Sequence, residues 1–170
     1  MSWISVSHAC ASQSIPIVTA YDTLGEEGVA HSLVQTKADA MYVDPHLLKT
    51  ATNPIRKSNV KTVIVNNNCI FAEGGEIEEF KKENPDITVI TYEELRKMGE
   101  ENPVDPVAVN PSDLYCIMYT SGSTGLPKGA CITHESLVAG GKFCYTPTLF
   151  FRYENLPNCC LNSDRSLDER

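Results

Sequence analysis

Residues 114–129 read Leu-Tyr-Cys-Ile-Met-Tyr-Thr-Ser-Gly-Ser-Thr-Gly-Leu-Pro-Lys-Gly, an apolar run followed by a loop of small, hydroxylated residues with one lysine. The run Leu114–Tyr119 predicts a strand covered on both faces, as in a parallel sheet between helix layers. In such sheets ligands bind beyond the carboxyl ends of the strands, so the loop that follows is where a site is sought. Gly122, Gly125 and Gly129 let the backbone turn sharply and bring its N–H groups close to an anion. The hydroxyls of Thr120, Ser121, Ser123 and Thr124 add donors, and Lys128 brings a compact positive charge that suits phosphate. Together they describe a cradle for a polyphosphate.

Two better-known phosphate loops fail against the letters. A Walker A loop counted from Gly122 would need its second glycine at Pro127, and Lys128 is followed by Gly129 rather than Ser or Thr. A G-x-G-x-x-G fingerprint fails because Thr124 stands where its second glycine belongs. A plain Ser/Gly linker is hard to reconcile with a buried strand before the loop and a lysine within it.

Working outward, strands and helices alternate. Trp3, Val6 and Cys10 recur at helical spacing over residues 2–13, and Ile15–Ala20 reads as a strand with Pro16 near its start. Thr23 and Glu26 have capping-box spacing before a helix over about 24–37, with Val29, Leu33 and Val34 as its apolar stripe. Ala40–Val43 is a second strand, and Asp44-Pro45 is a helix start whose device Asn53-Pro54 repeats for a short second turn. Val60–Val65 is β-branched and reads as a third strand. Residues 66–75 are turn chemistry. Glu76–Glu83 predicts an acidic surface helix with Ile77 and Phe80 inward. Ile87–Ile90 is a fourth strand, and Thr91 with Glu94 caps a helix ending near Gly99. The order implies an α/β fold with a parallel sheet layered between helices.

The chain has 170 residues and a net charge of -8, ordinary globular composition that argues against nucleic-acid binding through a broad basic face. Its seven cysteines contain no C-x-x-C pair, so spacing points to free thiols in a reducing compartment and to no zinc site. Residues 1–21 carry no charge, yet Ser5, Ser7, His8, Ser12, Gln13 and Ser14 break the stretch, which predicts a buried element rather than a signal or membrane segment. His8 and His31 read as ordinary helix residues, and His134 as packing at a helix start. Tyr115 and Tyr119 read as core or cleft lining.

Ile117 through Lys128 resembles, position by position, the AMP-binding signature of the adenylate-forming superfamily of acyl-CoA synthetases, luciferases and peptide-synthetase adenylation domains. Ile132-Thr-His134 is similar to the same family, where a strand leads into a helix. Residues 12–25, His31–Thr36 and Asp44–Lys49 look like fungal-type long-chain fatty-acid–CoA ligases. The resemblance covers residues from about 2 to 139 and implies part of the large N-terminal domain of such enzymes. It implies lipid and fatty-acid metabolism: ATP and a fatty acid form acyl-AMP and pyrophosphate, and coenzyme A then takes the acyl group. Thr120, Ser121, Gly122, Ser123, Thr124 and Gly125 would contact phosphate, and Lys128 would support the loop's charge. Magnesium is expected with ATP, and the resemblance assigns no metal ligand and no catalytic residue to this stretch. The implied partners are the small-molecule substrates, with no nucleic acid and no transmembrane segment. The implied location is cytoplasmic, compatible with peripheral attachment to endoplasmic-reticulum, peroxisomal or lipid-droplet membranes.

Family members are several times longer, and their remaining sites lie beyond the loop, so the expectation is an inactive fragment whose Met1 falls inside the family's fold. Ser136 stands where the family commonly has Asn. Residues 140–170 resemble nothing in the family, and Gly140-Gly141 would interrupt the expected helix. They read as a non-homologous tail from a frameshift or unspliced intron. Two other readings stay open: another adenylate-former of peptide-synthetase or coumarate-ligase type, or a non-catalytic α/β binding module.

Overall fold

The computed structural model describes residues 2–71, 74–120 and 126–145. Alternation of strand and helix produces two three-stranded sheets rather than the single one expected. In one, β2 (Ala40–Val43), β3 (Thr62–Val65) and β4 (Thr88–Thr91) lie in that order and are parallel throughout. In the other, β5 (Leu114–Thr120) is central, flanked by β1 (Ile17–Thr19) in parallel and by β6 (Lys128–Thr133) antiparallel. The antiparallel strand departs from the all-parallel expectation. Its reason is local: only seven residues separate β5 from β6, enough for a hairpin and too few for a crossover helix.

The core lies between the parallel sheet and the helices α2 (Gly25–Thr36), α3 (Leu48–Arg56) and α4 (Glu76–Glu83). Alternate residues of β3, Val63 and Val65, are fully buried and join Leu48 and Ile55 of α3, Phe80 of α4 and Leu33 of α2. Phe80 supplies the inner face expected of the acidic helix, and Arg56 closes its end. The Arg56 guanidinium donates from Nε to Asn84 Oδ1 at 2.8 Å and from Nη2 to the Glu83 carbonyl at 2.9 Å, while Asn84 Nδ2 donates to the Phe80 carbonyl. Asn84 is buried and polar, and these bonds satisfy it.

Several local expectations are corrected. Thr23 is not the N-cap of α2: the helix is entered through a 3₁₀ turn at Asp22–Leu24, and its N-cap is Leu24. Gly25 sits at φ +66°, so the backbone between Thr23 and Glu26 is not a regular first turn. Val34 is exposed, and α2 buries Gly28, Ala30, Ser32 and Leu33 instead. Pro54 starts no second turn: it lies inside α3, two residues before the end, where only the Thr50 carbonyl loses its usual donor. The Thr91–Glu94 box does form, opening α5 (Tyr92–Glu101), which runs two residues past Gly99. Helix α6 (His134–Tyr145) passes through Gly140-Gly141 without interruption.

Helix α1 (Ser2–Ser12) lies beside the mixed sheet, with the hydroxyls of Ser7 and Tyr115 3.0 Å apart. Just beyond it, Ser14 Oγ and the Asn110 amide both donate to Asp113 Oδ2 at 3.0 Å. The Asn110 N–H first, and the Ser14 hydroxyl second, hold the Asp113 carboxyl below its usual range. A lowered folded-state pKa stabilises above the unfolded value of 3.8 and is lost as pH falls through the folded value. Asp113→Asn is therefore expected to lower the urea midpoint at pH 7, with the gap from wild type narrowing below pH 3.8. A gap of equal size at pH 3 and pH 7 contradicts the assignment.

Candidate functional site

The loop expected to carry the chemistry joins β5 to β6. Thr120 and Lys128 are register partners at the loop end of this hairpin and both are exposed; the Thr120 hydroxyl points at the Lys128 carbonyl over a long 3.5 Å. Ser121, Gly122, Ser123, Thr124 and Gly125 lie outside the described residues. Of the residues singled out from sequence, the structure therefore brings Thr120 and Lys128 together across the mouth of the loop.

Both stems of the loop are seated on α2. Tyr119 is fully buried and its hydroxyl donates to Gln35 Oε1 at 2.6 Å, with the His31 ring edge-on at 6.1 Å. On the other stem, a Cβ on Gly28 would stand 3.4 Å from Pro127 Cγ and 3.0 Å from Leu24 Cβ. The missing side chain of Gly28 is what lets the helix approach this closely. Tyr119 thus belongs to the core beneath the loop, while Tyr115 packs on His134 at 5.3 Å, and His134 opens α6 as expected. Gln35, Gly28 and Pro127 were not singled out from sequence. A Gln on a helix carries no signal until the partner hydroxyl is known.

Behind the loop, Cys116 is buried in β5, and burial pushes its thiol up to about 11. Against the ordinary thiol value of 9.0, the thiolate population at pH 8 falls about a hundredfold. Cys116 is expected to be the slowest of Cys10, Cys69, Cys116 and Cys131 to alkylate in peptide-mapped iodoacetamide labelling at pH 8. Labelling at the rate of half-buried Cys131 contradicts this.

A separate depression of about 280 Å³ lies between α3 and α4, lined by Lys49, Arg56, Glu76 and Glu79 among others. It is built from surface helices far along the chain from the loop, and its mixed charges match no single ligand. Spacing alone points to no metal site, yet the fold gathers Asp44, His46 and Cys69, with ligand atoms all within 4.8 Å of one another.

The profile of the AMP-binding enzyme family matches residues 1–162. The chain belongs to the AMP-binding enzyme family. Among its relatives, this AMP-binding chain is 58% identical over 139 residues to a palmitoyl-CoA ligase of Gibberella moniliformis, covering 82% of this chain and 21% of that one. It is 44% identical over 137 residues to long-chain-fatty-acid–CoA ligase 1 of Schizosaccharomyces pombe, covering 81% and 20%. The chain thus spans about a fifth of the length of these relatives. Among solved structures, a long-chain-fatty-acid–CoA ligase of Archaeoglobus fulgidus superposes with TM-score 0.62 at 25% identity, over 82% of this chain and 24% of that one. The adenylation domain of a carboxylic acid reductase from Segniliparus rugosus, solved with AMP and a carboxylic acid, superposes with TM-score 0.71 at 16% identity, over 92% and 26%, a likeness of fold. Among the described residues, no helix is long and apolar enough to cross a membrane.

Proposed function

We propose that the chain is the phosphate-gripping portion of a long-chain fatty-acid–CoA ligase, and that residues 120–128 hold the triphosphate of ATP. The observation that carries the substrate class is 58% identity to a palmitoyl-CoA ligase. The position of the loop supports its role: it closes a hairpin whose stems, Tyr119 and Pro127, are both anchored on α2.

In this reading a fatty-acid carboxylate attacks the α-phosphorus of ATP, an acyl-phosphate bond forms, and the bond to pyrophosphate breaks. Negative charge grows on the departing pyrophosphate. Lys128 and the hydroxyl and amide donors of Thr120 through Gly125 neutralise it and hold it in line. The acyl-adenylate then passes its acyl group to the thiol of coenzyme A, releasing AMP. Magnesium enters with the nucleotide; residues 120–129 contain no Asp or Glu and offer it no carboxylate. The anchoring of both stems fixes where the donors start and end, which limits the reorganisation needed when charge develops.

Residues 1–139 form the AMP-binding portion in this proposal, and residues 140–170 a departing tail of frameshift or intron origin. The length of the fungal similarity, 139 residues, is in keeping with such a tail, while the family profile runs on to residue 162 and places the departure later. A complete enzyme would take its fatty acid while peripherally attached to a membrane. The test is ATP–pyrophosphate exchange by a complete ligase carrying this segment. Exchange stimulated by palmitate, and not by amino acids or coumarate, is expected; stimulation by an amino acid or coumarate alone overturns the substrate class.

A further inference from the structure

We infer that Asp44, His46 and Cys69 form a binding site for a zinc-class divalent cation at the carboxyl ends of β2 and β3, on the sheet that does not carry the phosphate loop. The three come from two separate connections. Asp44 and His46 lie where β2 passes into the 3₁₀ turn Pro45–Leu47, and Cys69 lies in the turn after β3. One carboxylate oxygen, one imidazole nitrogen and the sulfur converge within 4.8 Å of one another. Four-coordinate zinc holds such atoms roughly 3.3–3.8 Å apart, so a closure of about 1 Å completes the geometry. His46 is exposed, with its ring edge-on to Phe71 at 5.8 Å, and a turn of the imidazole away from that contact supplies it.

The surroundings are those of a ligand set. Asn66 Nδ2 donates to Asp44 Oδ1 at 2.7 Å, the kind of outer hydrogen bond that orients a ligating carboxylate. The other end of that amide, Asn66 Oδ1, is buried with no hydrogen-bond partner among the described residues. A water in the fourth coordination position would donate to it. The backbone sets the frame: the Asn66 amide donates to the Val43 carbonyl at 3.0 Å, and the Cys69 amide to the Asn66 carbonyl at 3.2 Å. A carboxylate and a thiolate balance two positive charges, and thiolate with imidazole selects a borderline-soft ion over magnesium or calcium. On binding, the Cys69 S–H bond gives way to a sulfur–metal bond and one proton leaves to solvent. The ion would tie the β2–α3 turn to the β3–α4 loop.

The test titrates Co²⁺, as a coloured stand-in for zinc, into the reduced 170-residue chain. One equivalent is expected to give near-ultraviolet thiolate-to-cobalt absorption and the visible bands of a four-coordinate ion, both bleached by one equivalent of Zn²⁺. Cys69→Ser is expected to remove the near-ultraviolet band. His46→Ala, an exposed change that leaves the core intact, is expected to weaken binding at least about a hundredfold, and Asn66→Ala by roughly 10–100-fold. Cys131→Ser and the double change Cys159→Ser with Cys160→Ser are expected to leave the spectrum as it is. Absence of the band in the wild type, or its survival in either Cys69→Ser or His46→Ala, overturns the site.

Discussion

Lys128→Ala, made in a complete ligase carrying this segment, is expected to slow fatty-acid adenylation roughly 10²–10³-fold, about 3–4 kcal/mol of lost stabilisation. Lys128 is exposed at the mouth of the loop, opposite Thr120 in the strand register, and the large effect follows from the proposed role of its charge on the leaving pyrophosphate. In a site closed to water, one charged donor on a leaving pyrophosphate is worth far more than the same lysine on an open surface. The change touches no core residue, so thermal stability is expected to stay within about 0.5 kcal/mol of wild type. Palmitate-dependent ATP–pyrophosphate exchange checks it. A rate within threefold of wild type would show that the loop does not grip the leaving group.

Phe80→Ala is expected to destabilise the chain by about 3–5 kcal/mol, the range for removing a fully packed aromatic ring. Phe80 is 3% exposed and lies where α4 meets α3 and the parallel sheet. Its carbonyl also receives Asn84 Nδ2, whose Oδ1 in turn holds Arg56, so the cavity would loosen a buried polar network as well. A domain commonly has only about 5–15 kcal/mol in hand, so the variant is expected to unfold at markedly lower urea. Chemical denaturation followed by far-ultraviolet circular dichroism measures this. A midpoint shift worth under 1 kcal/mol would mean that α4 is not part of the cooperative core.

Much of the architecture was legible in the letters because local and tertiary demands agree. The β-branched run 62–65 can bury Val63 and Val65 only as a strand, and the Thr91–Glu94 box names a helix start by its own hydrogen bonds. Where a local signal failed, a neighbour outweighed it. Thr23 and Glu26 have the correct spacing, but Gly25 in the left-handed region between them rules out a regular first turn. Division into two sheets was not legible, since strand order depends on long-range pairing such as Ile17 with Cys116. The loop was conspicuous because its residue types serve no packing purpose. Its supports were not: the Tyr119–Gln35 bond spans 84 positions, and Asp44, His46 and Cys69 meet only when β2 and β3 lie side by side.

The central claim is that the β5–β6 loop holds the nucleotide's phosphates, and amide hydrogen exchange read by mass spectrometry tests it most directly. In a complete ligase carrying this segment, saturating Mg-ATP is expected to slow exchange in the peptide spanning residues 117–130 severalfold, and Lys128→Ala to weaken that protection. Unchanged exchange in this peptide, with protection by ATP confined to other segments, would contradict it.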